Sequence, residues 1–281
     1  MTDSQETFRF YNTSDGYLRR LEGAGWRPEY GAVLGRLRRF GVRSGSAVLD
    51  FGCGVGDMTA TLASAGYRAV GADISWLFTR RALERYPFLS FVTVEPDARL
   101  PWRDGQFAAI TAINTIEHVA KPAPALQELM RVLEPGGLLV LTFPNLLSPL
   151  RPLKRFVARQ RRPKYGPESG DTPLQSLALL VRNVALLAVV GISRRPQFLS
   201  RRADFANAER YYLLGYGADY DAVWLCNPLD IAVWLRDLGM KVLELRGIPG
   251  AAERSLAVNQ LRQFMPPALT SPVLLVARNA G

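Results

Sequence analysis

Histidine and cysteine are almost absent from this sequence. Its 281 residues hold one histidine, His118, and two cysteines, Cys53 and Cys226. Two thiols so far apart make no disulfide framework. With a single imidazole beside them they make no Cys/His zinc cluster either, and no metal is expected. Residues 1–7 have no apolar stretch behind a basic start, so no secretory signal is read and a reducing cytoplasm is the expected compartment. Acids are the minority among the charges: 25 Asp and Glu stand against 35 Lys and Arg, a net charge of +10. That balance calls for an anionic partner, whether nucleic acid, a membrane surface or an acidic substrate. Apolar residues are plentiful at 48%, which suits one large domain, or one domain carrying a sizeable insertion. No internal repeat interrupts it.

Residues 1–45 read as a helical lead-in, with Tyr17, Leu18 and Leu21, then Val33, Leu34, Leu37 and Phe40, at helical spacing. From Ser46 short apolar strands alternate with helices. Strands are expected at 47–51, 68–73, 89–94, 107–113 and 138–143. Helices are expected at 57–65, 75–85 and 122–133, the last stopped by Pro135-Gly136-Gly137. This alternation predicts an α/β domain, a mostly parallel sheet with helices on both faces, which binds ligands outside the carboxyl ends of its strands. Residues 146–226 break the rhythm. It resumes with a helix at 228–238, capped by Gly239, and strands at 241–246 and 272–277.

The loop Gly52-Cys53-Gly54-Val55-Gly56 follows the first strand and opens a helix, the context in which glycines let backbone approach a ligand. A dinucleotide fingerprint needs glycine at its first, third and sixth positions. Here those are Gly52, Gly54 and Asp57, and a carboxylate at the helix N-terminus would repel a pyrophosphate. S-adenosylmethionine carries an ammonium and a sulfonium instead, and Asp50 at the strand end suits that cation by Coulomb attraction. Asp73, closing the second strand, can accept hydrogen bonds from both ribose hydroxyls, and Asp97, after the third, from an adenine amino group. Cys53 reads as a small residue filling a tight turn, and Cys226 as core.

With these residues in place the sequence resembles the class I S-adenosylmethionine-dependent methyltransferases. The matching stretches are Val-Leu-Asp-Phe-Gly-Cys-Gly-Val-Gly at 48–56, Val-Gly-Ala-Asp-Ile-Ser at 70–75, Asp97-Ala98 followed by Leu100-Pro101-Trp102, Ile-Asn-Thr-Ile-Glu-His-Val at 113–119, and the run 133–145 around Pro135-Gly136-Gly137. They cover residues 45–145, and 228–278 fits the family's last helix and two strands. The resemblance implies a Rossmann-like, seven-stranded, mostly parallel sheet whose last strand enters antiparallel. It implies S-adenosylmethionine as cofactor and S-adenosylhomocysteine as product. Gly52, Gly54 and Gly56 would pack on the methionine part, with Cys53 in the same loop and Ile74 beside Asp73. Asp73 would hold the ribose, Asp97 and Ala98 would flank the adenine, and Asn114 would lie near the transferred methyl.

His118 has two readings that stay open. As a neutral imidazole near the substrate it can take a hydroxyl proton as the methyl arrives; otherwise it packs and orients a loop. No acid precedes it at Ala112, Ile113 or Asn114, so no metal is expected beside the Glu117-His118 pair.

The basicity belongs to the interruption. Residues 146–206 contain twelve Lys and Arg against three acids, a net +9 out of the chain's +10. Asp171-Thr172-Pro173 makes a good helix start, and the apolar run 174–190 follows, with Gly191 able to end it. Gln175, Ser176, Arg182 and Asn183 fall on one narrow side; Leu177, Val181, Val184, Leu187 and Ala188 fall on the broad apolar side. The helix is a little short to cross a bilayer of about 30 Å, and basic flanks suit one lying in the interface. A lid that buries its apolar face on the domain and a lid that touches an anionic membrane through residues 150–202 both stand; nucleic acid is disfavoured. Tyr211, Tyr212, Tyr216, Tyr220 and Trp224 either line an acceptor cleft or form core.

The expected organisation is a lead-in at 1–45, a cofactor-binding half at 46–145, a basic amphipathic insertion at 146–226, and the closing helix and two strands at 227–281. The expected activity is methyl transfer from S-adenosylmethionine to an oxygen of a small-molecule or lipid-linked acceptor. The alternatives are N- or C-methylation of a natural-product or quinone-like acceptor, and a non-catalytic relative that binds the cofactor. The expected location is the cytoplasm, with peripheral contact on the inner membrane face held open.

Overall fold

The structure is a computed structural model that describes residues 2–25, 27–152, 172–213, 220–248 and 265–281. Its strands are β1 Ala47–Phe51, β2 Arg68–Asp73, β3 Ser90–Thr93, β4 Phe107–Ile113, β5 Leu133–Phe143, β6 Met240–Gly247 and β7 Val273–Asn279. They form one sheet in the order β3-β2-β1-β4-β5-β7-β6. The first five pair in parallel, and β7 runs antiparallel between β5 and β6. This is the Rossmann-like topology that the resemblance implied.

Side chains on the strands alternate between two buried layers. Val48, Ala109, Leu138, Val140 and Leu274 pack with Val33 and Leu37 of α3 (Pro28–Arg39) and with Met58 and Leu62 of α4 (Asp57–Ser64). Leu49, Ile110, Leu139, Leu141 and Leu275 pack on the other side, with Leu126 and Leu129 of α6 (Pro122–Val132) and Ile231 and Leu235 of α9 (Pro228–Asp237). Cover on both faces is why these strands read as unbroken apolar runs.

Pro135-Gly136-Gly137 differs from expectation. These residues lie inside β5, and α6 already ends at Val132. Phe107 pairs with Leu133 but Ala109 pairs with Leu138, so the ladder absorbs extra residues in a bulge where Gly136 takes φ +79°.

The lead-in is α1 (Asp3–Thr13), α2 (Asp15–Ala24) and α3. Thr2 and Gln5 cap α1 reciprocally. Phe10 and Tyr11 of α1 form a separate apolar cluster with Phe78 of α5 (Trp76–Arg85) and with Ala208 and Tyr212 of α8 (Phe205–Leu213). The interruption therefore sends α8 back to pack with the N-terminal helices.

Its other helix, α7 (Pro173–Ser193), starts on a capping box between Thr172 and Gln175. It runs past Gly191 and ends where Arg194 takes the left-handed conformation, φ +51°, and donates its N–H to the Val190 carbonyl. The face it turns to the domain reverses the expectation of a lid with a buried apolar face. Ser176, Asn183, Leu187 and Val190 are buried, and Leu177, Val181 and Val184 are exposed. Lys154, Arg155, Arg159, Arg161, Arg162, Lys164, Glu168, Asp171 and Tyr216 lie outside the described residues.

Candidate active site

The chain runs from β1 outward to β2 and β3, then returns to build β4 and β5 on the other side of β1. That switch opens a crevice at the carboxyl ends of β1 and β4. A cavity of about 730 Å³ lies there, bordered by Gly52, Gly54, Asp73, Ile74 and Asn114. Gly52, at φ +75°, is required by close approach: a Cβ would collide with the Thr115 side chain. The N–H groups of Gly52 and Cys53 both donate to the Ala72 carbonyl, at 2.7 and 3.0 Å, fixing the turn to the end of β2. Asp73 closes that strand. Its carboxylate accepts from the backbone N–H groups of Gly54 and Ser75, each at 2.9 Å. Burial raises its pKa, and those donors oppose the rise. Each oxygen keeps a lone pair for a further donor, as a ribose diol would supply.

A second cavity of about 300 Å³ adjoins the first through Phe51, Ile74, Val94 and His118, and holds Asp97 and Ala98. Asp97 takes φ +61°. Its carboxylate accepts from Ser4 Oγ at 2.6 Å and pairs with Lys121 Nζ at 2.9 Å. The Asp97 end of the crevice is thus roofed by α1.

Four residues of the sequence motif turn elsewhere. Asp50 shares its face of β1 with Val48, toward α4. It is buried and accepts from Thr59 Oγ1 at 2.7 Å and Thr111 Oγ1 at 3.1 Å. Burial pushes its pKa up to about 6. With Cys53 and Asp57 it borders a cavity of only about 50 Å³ rather than the large one. Cys53 is buried, and desolvation holds its thiol well above the usual range, leaving a poor nucleophile. Gly56 heads α4 against Phe91 and Ala82, so packing rather than a ligand requires it. Asp57 is paired with Arg85 at 2.8 Å and accepts from Tyr86 at 2.6 Å. Its charge is partly neutralised, which weakens the argument against a phosphate that the sequence reading rested on Asp57.

His118 ends a 3₁₀ turn, Ile116–His118, and borders both large cavities. Its Nε2 lies 3.6 Å from Glu117 Oε1 and its Nδ1 3.5 Å from Asp221 Oδ2. Asp221 is fully buried and accepts from Tyr11 at 2.8 Å and Tyr212 at 2.5 Å. Burial and the Asp221 charge push both phenols well above their ordinary pKa, so they remain donors. The Trp224 indole donates to the Ile116 carbonyl at 2.8 Å and the Val223 N–H to the Glu117 carbonyl at 3.0 Å, pinning the turn. Tyr11 and Tyr212 border the large cavity; Tyr211 and Tyr220 stack on each other, with ring centres 5.0 Å apart. Sequence reasoning missed Asp221 and Tyr11. The one available signal was an acid, Asp221, embedded among the aromatics from Tyr211 to Trp224.

A Rossmann-like sheet with an acid at the end of β2 and a cavity at its switch point is the arrangement in which open α/β sheets bind their ligands. Residues 49–141 match the family model described as methyltransferase domain. A demethylmenaquinone methyltransferase of Beutenbergia cavernae is 38% identical over 104 residues, 37% of this chain and 43% of that protein. A 2-methyl-6-phytyl-1,4-hydroquinone methyltransferase of Synechocystis is 34% identical over 99 residues, 34% of this chain and 31% of that protein. The chain thus spans less than half the length of either. The structure of an S-adenosylmethionine-dependent methyltransferase from Mesorhizobium loti superimposes with a TM-score of 0.52 at 16% identity, covering 88% of this chain and 97% of that one. Residues 49–141, a third of the chain, thus resemble a methyltransferase domain, and the sheet around them has the Rossmann-like fold of that structure.

Proposed function

We propose that the protein transfers a methyl group from S-adenosylmethionine to an oxygen of an apolar small-molecule or lipid-linked acceptor. The observation that carries this is a crevice of two adjoining cavities, the larger bordered by Asp73 and His118, the latter backed by Asp221, and the smaller by Asp97. Bound S-adenosylmethionine supplies an electrophilic methyl on a sulfonium and becomes S-adenosylhomocysteine. Asp73 accepts the ribose hydroxyls, Asp97 and Ala98 border the adenine, and Gly52, Gly54, Ile74 and Asn114 shape the channel to the reacting end. Tyr11, Tyr17 and Tyr212 give the acceptor side aromatic walls.

Methyl transfer asks mainly for in-line positioning and exclusion of water. His118 Nε2 takes the acceptor's hydroxyl proton as the O–C bond forms and the S–C bond breaks. The carboxylates of Asp221 and Glu117 counter the resulting imidazolium by Coulomb attraction.

A second reading is favoured by the names of the curated relatives, which specify quinone-type substrates. Removing a proton from a hydroquinone hydroxyl also raises electron density on the ring carbons, so the same His118 step serves C-methylation. Either acceptor is apolar, and the protein works from the cytoplasm at the inner face of the membrane. Titration calorimetry with S-adenosylmethionine tests the core claim. Binding that is weakened at least tenfold by Asp73→Ala supports it; no binding, or binding indifferent to that change, overturns it. Turnover with hydroquinone and phenol acceptors separates an enzyme from a non-catalytic binder.

A further inference from the structure

The described residues contain one helix long and apolar enough to cross a membrane, α7, and only 22% of its most apolar window is buried. Which side is buried decides what the helix is for. Ser176, Asn183, Leu187 and Val190 face the domain, and Asn183 Nδ2 donates to the Ser148 carbonyl at 3.3 Å. At about 100° per residue, these four cluster around one side of the helix. Directly opposite lie Leu174, Val181 and Ile192, flanked by Leu177, Val184 and Val189. Leu174 is 76% exposed, Leu177 57%, Val181 58% and Ile192 84%. The outward arc, roughly 140° wide, holds only Leu, Val, Ile and Ala. A core helix would show the reverse arrangement, with its polar residues turned out.

Charge says what covers this arc. Residues 173–203 hold five arginines and no acid, and the whole interruption, 146–206, holds twelve Lys and Arg against three acids. Arg194 and Arg195 stand exposed at the end of the helix. An apolar stripe that ends in exposed cationic groups, Arg194 and Arg195, matches the acyl chains and phosphates of an anionic lipid surface. A second protein copy would bring the same positive charges against each other. Because one face stays held to the domain through Asn183, Leu187 and Val190, the helix lies along the surface and does not thread it.

We propose that α7 is a membrane-docking helix that lies in the plane of an anionic bilayer. Leu174, Leu177, Val181, Val184 and Ile192 sit among the acyl chains, with Arg194 and Arg195 at the headgroups. The helix hangs from the segment after β5, where Pro144 borders the large cavity and Ser148 holds Asn183. Docking therefore brings the carboxyl-end crevice close to the membrane, where an apolar acceptor dissolves. That purpose rests on the acceptor reading above; the docking itself does not.

Flotation of the full chain separates the two. The protein is mixed with vesicles of phosphatidylcholine alone, or of phosphatidylcholine with phosphatidylglycerol, and S-adenosylhomocysteine binding is measured on the same samples. The chain is expected to float with the anionic vesicles and to release as salt rises. Leu177→Glu with Val181→Glu should cut the bound fraction roughly tenfold or more, equivalent to about 1.4 kcal/mol. Arg194→Glu with Arg195→Glu should remove the preference for anionic lipid. All these sites are exposed, so an unchanged melting curve and unchanged cofactor binding are expected in both variants. A wild-type chain that stays in solution with both vesicles overturns the proposal, as does a Leu177→Glu, Val181→Glu variant that floats equally well. A dimer that this double change splits, without vesicle binding by the wild type, assigns the face to a second copy instead. Loss of cofactor binding in the wild type, with flotation intact, would fault the methyltransferase reading and leave docking standing.

Discussion

Asp221 Oδ2 lies 3.5 Å from His118 Nδ1, although the two residues come from opposite sides of the insertion boundary. The contact joins an aromatic-rich return segment to the turn after β4. If His118 moves a proton, His118→Gln should lower kcat by about 10²–10⁴ with cofactor affinity unchanged. Asp221→Asn should cost less and move the acid limb of the pH–rate profile to lower pH without abolishing it, since it removes the charge opposite the imidazolium and leaves the base in place. Steady-state rates against pH, with S-adenosylhomocysteine affinity measured alongside, check both. Full activity in His118→Gln would leave the residue only a packing role.

Asp73 and Gly56 separate ligand contact from packing within one motif. Asp73→Asn replaces one acceptor oxygen with a donor facing the Gly54 or Ser75 N–H, so cofactor affinity should fall by one to two orders of magnitude, about 1.4–3 kcal/mol. Gly56→Ala places a methyl 2.8 Å from Phe91 at φ +89°. It should destabilise the fold by about 1–3 kcal/mol. Residual folded protein should still bind cofactor. Calorimetry and thermal melts on the same two variants provide the contrast.

The strands β1, β2 and β4 begin and end where their sequence pattern places them, because each is a short apolar run bounded by glycine or a charge. Asp73 was equally legible, since a strand's last residue must sit at the ligand-binding end. Asp50 was not: its side of β1 is set by strand alternation, and the Thr59 and Thr111 hydroxyls that claim it lie on other elements. The face of α7 also escaped, because a helical wheel orders residues around an axis without saying which side finds a neighbour. Asp221 escaped for a third reason. Its partners, Tyr11, Tyr212 and His118, come from three distant segments, and no local period records such a meeting.

Trp224 offers a test of how firmly the return segment holds the reacting turn. Its indole donates to the Ile116 carbonyl at 2.8 Å, one residue before Glu117 and two before His118. Trp224→Phe keeps most of the apolar burial and leaves that carbonyl without its donor, a loss of about 1–3 kcal/mol. If the bond also orients His118, kcat should fall more than KM rises. A stability loss with unchanged kcat would confine Trp224 to packing.

Asp50 makes a prediction in which most unrelated effects cancel. Burial, reinforced by the charge of Asp73, raises its folded-state pKa to about 6, against a hydrogen-bonding pull from Thr59 and Thr111. An unfolded aspartate titrates near 3.9. Below about pH 4 both states are protonated, and Asp50 contributes no pH dependence. Between about pH 4 and 6 the folded state holds the extra proton, so stability falls as pH rises. Above that window the full penalty is present, about 3 kcal/mol at about 1.4 kcal/mol per pKa unit. Asp50→Asn has nothing to titrate, and the Thr59 and Thr111 hydroxyls can rotate to meet its amide. Any fixed cost of that exchange is the same at every pH. The stability difference between Asp50→Asn and wild type should therefore shift toward the variant by about 2 kcal/mol from pH 4 to pH 7. Urea denaturation at four or five pH values across that range measures it. A difference that stays flat would mean that Asp50 ionises as freely inside the sheet as in the unfolded chain.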